Sequence, residues 1–383
     1  MAQTYFDHNA TTPLDPRVGE AMLPWLGRHH GNPSSVHAFG RQAREAVEAA
    51  RERVARLLEA RTPEVVFTAS GTEANNAVLL SCARRASFGG HLVVSAIEHP
   101  SVSRMAAKLE EAGVAVTRVA PGREGRLDAA ELVAAVREDT FLVCLMLANN
   151  EVGMLQPVEE VAVACRERGI PVLCDAVQAV GKIPVKVEDL GVDYLTLGAH
   201  KFYGPLGAAA LWLRKGVHFS PLLVGGSQER HRRAGTANVP AIVGLGRAAE
   251  ISLAELEARR AAMEALRDGF EARLEETLPE VLFHSRSVPR LPNTSNVAFP
   301  GVQGEALMIR LDLKGYAVST GSACSSGTVE PSETLAAMGV PREEALSSLR
   351  ISLGTTNTAA DVEAFIGVLA AEVAELRRLA PAL

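Results

Sequence analysis

Two hydrophobic rhythms alternate along the 383-residue chain. Residues 38–59 (AFGRQAREAVEAARERVARLLE) repeat Ala, Val and Leu at helical spacing among Arg and Glu, which predicts a long amphipathic helix. Short apolar runs follow at 65–68, 92–97, 141–148, 172–174, 194–197 and 208–213, each bounded by turn residues. Their length and β-branched content suit strands buried on both faces. Helical patterns at 72–86, 101–112, 128–137 and 157–168 separate most of them. Strand and helix in alternation predict an α/β unit with a mainly parallel sheet covered on both sides.

The pattern changes near residue 239. From there to about 277 it is strongly helical, as in EISLAELEARRAAMEALRDGFEARLEE. After Pro279 come short strands, a helix around 303–313, a Gly/Ser-rich segment at 319–328 and a last helix from about 359 to 379. A large α/β domain ending near 260 and a smaller α+β domain after it are expected.

With 47% hydrophobic and 22% charged residues, the chain has ample material for a core, and disorder is excluded as its main state. A net charge of −6 and 4% aromatic residues give nucleic acid neither a basic surface nor many stacking platforms. No apolar run approaches the ~20 residues of a membrane span, and the start, MAQTYFDHNATTP, shows no basic region leading into an apolar one. A cytoplasmic protein with no nucleic-acid or membrane partner is expected. The five cysteines, at 82, 144, 165, 174 and 324, form no CxxC pair, which argues against structural zinc and for reduced thiols. Four lie in apolar or helical surroundings; Cys324 lies in the small-residue loop TGSACSSG, where an exposed thiol is a candidate nucleophile. Lysines are few: 108, 182, 186, 201, 215 and 314.

Ligands in open α/β sheets bind beyond the carboxyl ends of the strands, and here those ends are polar. Run 65–68 leads through Ala69-Ser70-Gly71-Thr72-Glu73 into a helix, whose N-terminus offers free N–H groups to a phosphate. Taken alone, the same residues read as a helix cap. Run 92–97 ends in Glu98-His99-Pro100, run 141–148 in Asn149-Asn150-Glu151, and run 172–174 in Asp175-Ala176-Val177-Gln178. Run 194–197 leads to Gly198-Ala199-His200-Lys201-Phe202-Tyr203. Lysine belongs on solvated faces, so one in a Gly-rich loop at a strand end reads as a nucleophile of lowered pKa, able to form a Schiff base. A phosphate cradle, a histidine, an amide, a carboxylate and a lysine at five strand ends together fit pyridoxal phosphate.

The chain resembles the cysteine desulfurases, pyridoxal-phosphate enzymes of the class V aminotransferase group, over essentially its whole length. The resemblance rests on FDHNATTPLDP (6–16), GNPSSVHAFGRQA (31–43), FTASGTEANN (67–76), IEHPSV (97–102), ANNEVG (148–153), CDAVQAVGK (174–182), GAHKFYGPLG (198–207), RRAGTAN (232–238), STGSACSSG (319–327) and SSLRISLG (347–354). It implies a fold type I architecture with a seven-stranded sheet in a large domain at 14–260, and a smaller domain from 1–13 and 261–383 carrying the cysteine loop. It implies that Lys201 binds the cofactor aldehyde, that His99 stacks on the ring and moves protons, that Asp175 pairs with the ring nitrogen and that Gln178 meets the phenolic oxygen. Gly71, Thr72, Gly198 and His200 match the phosphate cradle, although many members carry serine where Gly198 stands. Thr236 matches a threonine that reaches the neighbouring subunit's phosphate, which implies a homodimer. Asn150 and Arg350 match contacts to cofactor and substrate, Arg350 to the carboxylate.

Cys324 matches the nucleophile that takes sulfur from L-cysteine, and its loop resembles the long-loop group, whose cysteine delivers sulfur to an acceptor such as an iron–sulfur scaffold protein. No resident metal is implied; Cys324 is the one residue that could pass as a transient iron–sulfur ligand. Selenocysteine lyases and other class V enzymes share the scaffold, but transamination needs no thiol, which sets Cys324 against an aminotransferase. A partner-binding protein without activity on the same fold is opposed by the intact Lys201, His99 and Asp175.

Overall fold

The computed structural model describes residues 3–321 and 330–379. Its centre is a seven-stranded sheet with the spatial order Val65–Thr68, Ala209–Leu213, Tyr194–Gly198, Val172–Asp175, Thr140–Met146, His91–Ser95 and Ala115–Val119. The two pairings made by Ala209–Leu213 are antiparallel and the other four parallel. Side-chain alternation buries both faces. Val93, Val143, Leu145, Leu195 and Leu197 pack on one side with Ala43, Val47 and Val54 of helix Ala38–Leu57. Leu92, Val94, Leu142 and Cys144 pack on the other with Ala74, Val78 and Leu79 of helix Gly71–Arg85. Cys82, Cys144, Cys165 and Cys174 are all buried.

Six strands follow the apolar runs to within two residues at each end. The seventh, Ala115–Val119, lies at the sheet edge, pairs only with His91–Ser95 and is half-buried with an exposed Arg118. Its mixed composition is what an edge strand needs and conceals it from an apolar-run criterion.

Helix Val239–Thr277 runs unbroken for 39 residues, about 60 Å at 1.5 Å per residue. Its first half packs beside Ala38–Leu57 through Ile242, Leu245 and Ala249, whereas Phe270 and Leu274 enter a second core. Position 260 therefore falls inside one continuous helix shared by the two units. The second core joins these residues to Phe6, Val297, Leu349, Ile351 and Phe365. It lies on a three-stranded antiparallel sheet, in the order Ser348–Ser352, Thr294–Ala298, Leu282–His284, backed by helices Gly304–Leu313 and Ala359–Leu379. The amino-terminal segment returns to this unit, with Thr4–Tyr5 pairing in parallel with Tyr316–Ala317.

Candidate active site

The strand ends form a cavity of about 180 Å³ lined by Ser70, Gly71, Thr72, Asn75, His99, Ser101, Asn150, Asp175, Gln178, His200 and Lys201 together with Met146, Ala148 and Val177. The pattern of polar residues ending apolar runs thus becomes one site. A larger cavity of about 550 Å³ beside the long helix is lined by charges that neutralise one another, such as Arg290 with Glu271 and Arg267 with Asp268, and it gathers none of these groups.

One end of the site is the N-terminus of helix Gly71–Arg85. Ser70 caps it, accepting from the Glu73 N–H at 3.1 Å, while Glu73 accepts from Ala69 N and pairs with Arg233 at 2.9 Å. The N–H groups of Gly71 and Thr72 have no hydrogen-bond partner among the described residues, which leaves two donors and the positive end of the helix dipole facing the cavity. His200 stands beside them. Its Nδ1 meets Thr11 Oγ1 at 3.1 Å, and burial, with the charge of Lys201, lowers its pKa to about 4.

At the other end, strand Val172–Asp175 delivers Asp175. One carboxylate oxygen accepts from Val177 N at 3.0 Å and the other from Asn75 Nδ2 at 2.7 Å. Asn75 also donates to Ser101 Oγ at 2.9 Å and accepts from Thr196 Oγ1 at 2.9 Å. His99 caps helix Pro100–Glu111, its Nδ1 accepting from Ser101 N at 3.1 Å with Ser101 Oγ at 2.8 Å. An acceptor Nδ1 assigns the ring proton to Nε2. Burial lowers the His99 pKa; Asp175 opposes the shift and Lys201 adds to it.

Lys201 follows the strand Tyr194–Gly198. Its Nζ donates to the carbonyls of Asn9 at 2.6 Å and Ala10 at 2.8 Å, with no carboxylate bound among the described residues, and burial together with the Arg350 charge lowers its pKa to about 8. Gln178 Nε2 donates to the same Asn9 carbonyl at 2.8 Å. Arg350 lies one layer out. Its guanidinium reaches Asn150 O at 3.1 Å and Asp7 Oδ1 at 2.6 Å, and its Nε is buried without a partner among the described residues.

Thr236 and Cys324 remain. Thr236 lines a separate cleft of about 140 Å³ with Phe67, Ala69, Gln228 and Arg233. Cys324 lies outside the described residues, but both flanks of its segment converge on Glu151, the neighbour of Asn150. Glu151 accepts from the hydroxyls of Ser332 and Thr334, the latter at 3.1 Å, and a Cβ at Gly321 would come within 2.6 Å of its Oε2.

Asn75, Ser101, Asn9 and Lys182 escaped the strand-end criterion. Asn75 lies four positions after Gly71, one turn further along helix Gly71–Arg85, and that offset was the available signal for it. Nothing local marks Asn9, which reaches the site through the long-range return of the amino-terminal segment.

Residues 4–365 match the family described as aminotransferase class-V. The cysteine desulfurase IscS of Dictyoglomus turgidum is 43% identical over 380 residues, covering 99% of this chain and 96% of the relative. That of Methanosarcina thermophila is also 43% identical, over 98% of this chain and 93% of its own. Among solved structures, a NifS-like protein superposes with a TM-score of 0.92 at 38% identity, over 97% of this chain and 100% of that one. SspA in complex with cysteine superposes with a TM-score of 0.81 at 35% identity, over 92% and 99%. The chain belongs to the class-V aminotransferase family, with cysteine desulfurases as its full-length relatives.

Proposed function

We propose that this protein is a pyridoxal-phosphate-dependent cysteine desulfurase, converting L-cysteine to L-alanine and leaving the sulfur on Cys324 as a persulfide. The observation that carries the reading is convergence: Lys201, His99 and Asp175 line one cavity, and the flanks of the Cys324 segment meet Glu151 beside it. The donor set fits the cofactor. The free N–H groups of Gly71 and Thr72, with the Thr72 hydroxyl and His200, suit a phosphate. Asp175 suits a protonated ring nitrogen, the Gln178 amide a phenolic oxygen, and Lys201 an aldehyde. Bound there, pyridoxal phosphate supplies an electron sink for the substrate α-carbon.

The remaining work falls to the chain. Lys201, with its pKa near 8, is available in part as a neutral amine and holds or returns a proton at Nζ. His99 presents Nε2–H while Ser101 keeps its ring from turning. Arg350 receives the substrate carboxylate, in competition with Asp7. The Cys324 thiolate attacks the substrate sulfur, so that an S–S bond forms as the substrate C–S bond breaks; the β-carbon takes the electron pair and a proton. L-Cysteine and an enzyme thiol thus give L-alanine and an enzyme persulfide, whose outer sulfur passes to an acceptor protein such as an iron–sulfur scaffold in the cytoplasm. Thr236, placed outside the cavity of its own chain, suits a homodimer in which it serves the partner's phosphate.

The test is alanine and persulfide formation by cofactor-loaded protein given L-cysteine. Loaded protein that makes neither overturns the reading. Full activity in a species that light scattering shows to be monomeric overturns the shared site.

A further inference from the structure

Lys182 is 4% exposed and has no carboxylate partner among the described residues. Its Nζ donates to Asn9 Oδ1 and to Gln178 Oε1, both at 2.8 Å. Two acceptors match the two N–H bonds of a neutral amine, whereas an ammonium would leave a third N–H buried and unsatisfied. Burial and the nearby charges of Lys201 and Arg350 act in the same direction, holding its pKa well below the lysine range. A methionine would fill this space without any polar atom to satisfy, so the amine needs a reason.

The hydrogen bonds around it close on the candidate site. Gln178 Nε2 donates to the Asn9 carbonyl, which also receives Lys201 Nζ. Asn9 Nδ2 in turn reaches Asn150 O at 3.1 Å and Thr294 Oγ1 at 2.9 Å. A glutamine side chain can present either its oxygen or its NH2 group. A donor held against the oxygen removes the choice, leaving the NH2 group, with one hydrogen on Asn9 O and the second unassigned, as the end offered to the cavity.

We infer that Lys182 is a positioning residue for this site: by donating to Gln178 Oε1, and to Asn9 whose carbonyl receives the other end of the same amide, it fixes the orientation of the Gln178 amide. The inference rests on the cavity being the pyridoxal-phosphate site, with Gln178 donating to the cofactor. It is separable from the choice of substrate, since the measurement is cofactor binding by apoprotein and needs no turnover.

Apoprotein carrying Lys182→Met, Gln178→Leu or both is titrated with pyridoxal phosphate, following the dissociation constant and the visible absorption band, with the melting temperature of each apoprotein as a check on folding. Lys182→Met weakens binding about tenfold, the scale of one lost polar contact in a buried site, and moves the band. Because Lys182 acts through Gln178, the double variant binds no worse than Gln178→Leu alone. Lys182→Gln keeps a donating NH2 and loses less. Wild-type affinity and spectrum in Lys182→Met, or losses that simply add in the double variant, overturn the inference while leaving the cofactor site standing. Should Lys182→Met fail to fold, Lys182→Gln enters the same cycle and additivity there overturns the inference equally. A wild-type apoprotein that does not bind pyridoxal phosphate removes the cofactor reading and this inference together.

Discussion

Asn75 and Asp175, a hundred residues apart, are joined by a 2.7 Å hydrogen bond from the Asn75 amide to the Asp175 carboxylate. The same Asn75 takes the Thr196 hydroxyl and holds Ser101, which in turn fixes the His99 ring. One helix-borne amide therefore sets the bearing of both the carboxylate and the imidazole. Both Nδ2 hydrogens and the Oδ1 of Asn75 are engaged, so a change at one member propagates to the others.

Asp175→Asn is the sharpest probe of that network. Both oxygens of Asp175 accept, from Val177 N and from Asn75 Nδ2. An asparagine offers one acceptor and one donor, so an N–H must face another N–H, and the negative charge is lost. Turnover should fall by roughly 100-fold or more, the scale of losing one preorganised electrostatic contact. The circular-dichroism spectrum should be unchanged. Near-wild-type kcat/KM would make Asp175 a structural cap.

Lys201 gives a pH signature. Burial and Arg350 lower its pKa from 10.5 to about 8, so the neutral, nucleophilic amine builds up at a lower pH than on an ordinary lysine. The rate at which apoprotein forms a borohydride-trappable adduct with an aldehyde should rise through about pH 8 and level off above it. The adduct should map to Lys201. A rate still climbing at pH 10, or an adduct on another lysine, would contradict the assignment.

The features that sequence patterning exposes are those in which a residue departs from its local surroundings. Asp175 and Lys201 stand out because a charge just beyond a buried apolar strand departs from its surroundings, although Asp175 also has a local use in accepting from Val177 N. Lys182 does not stand out: following Gly181, it reads as an ordinary solvated lysine, yet it is buried with its Nζ on Asn9 of the distant amino-terminal segment. Strand Ala115–Val119 hides for the opposite reason. Its edge position tolerates Thr117 and Arg118, so the apolar run that marks the inner strands is missing. The division near 260 falls within helix Val239–Thr277, where helical periodicity continues without a break while the packing partners change from one core to the other. Tertiary partnership, unlike periodicity, leaves no local trace.

Glu98 should make stability depend on pH. It is buried, with Oε1 accepting from Ser95 Oγ at 2.5 Å and Met146 N at 2.8 Å and Oε2 without a partner among the described residues, and burial pushes its pKa up to about 8. Between its ordinary value of 4.5 and about 8, the folded protein holds a proton that the unfolded chain has released. The stability this contributes is full below about 4.5 and is lost as pH rises through about 8. Glu98→Gln keeps the Oε1 acceptor and has no such proton to lose. Its melting temperature should therefore fall less than that of the wild type between about pH 5 and 9. Parallel curves would mean that Glu98 titrates normally.

Gly198 offers a gain rather than a loss. A Cβ there would lie 3.6 Å from His200 Cδ2 and from Val177 Cγ1, ordinary contact distances, on extended backbone at φ −128° and ψ 126°. Gly198→Ser should fold normally and add a hydroxyl beside the donors of Thr72 and His200, tightening pyridoxal-phosphate binding severalfold. An unchanged dissociation constant would show that position 198 does not face the phosphate.

Cys324→Ala separates sulfur transfer from every other use of this scaffold. The cavity residues that suit the cofactor lie on the large α/β unit, so the variant should bind pyridoxal phosphate with wild-type affinity and respond spectrally to L-cysteine. It lacks the thiol that receives the sulfur atom, so alanine should not accumulate. In the wild type, brief exposure to L-cysteine should add about 32 Da, one sulfur atom, to the peptide containing Cys324, and the mass should disappear on treatment with a reductant. Glu151 sharpens the experiment, because it anchors Ser332 and Thr334 on one flank of the cysteine segment and abuts Gly321 on the other. Glu151→Ala should leave cofactor binding intact while slowing persulfide formation, a split between binding and transfer that Cys324→Ala shows in its extreme form. Alanine production at the wild-type rate by Cys324→Ala would mean that the sulfur leaves by another route and that the desulfurase reading is wrong.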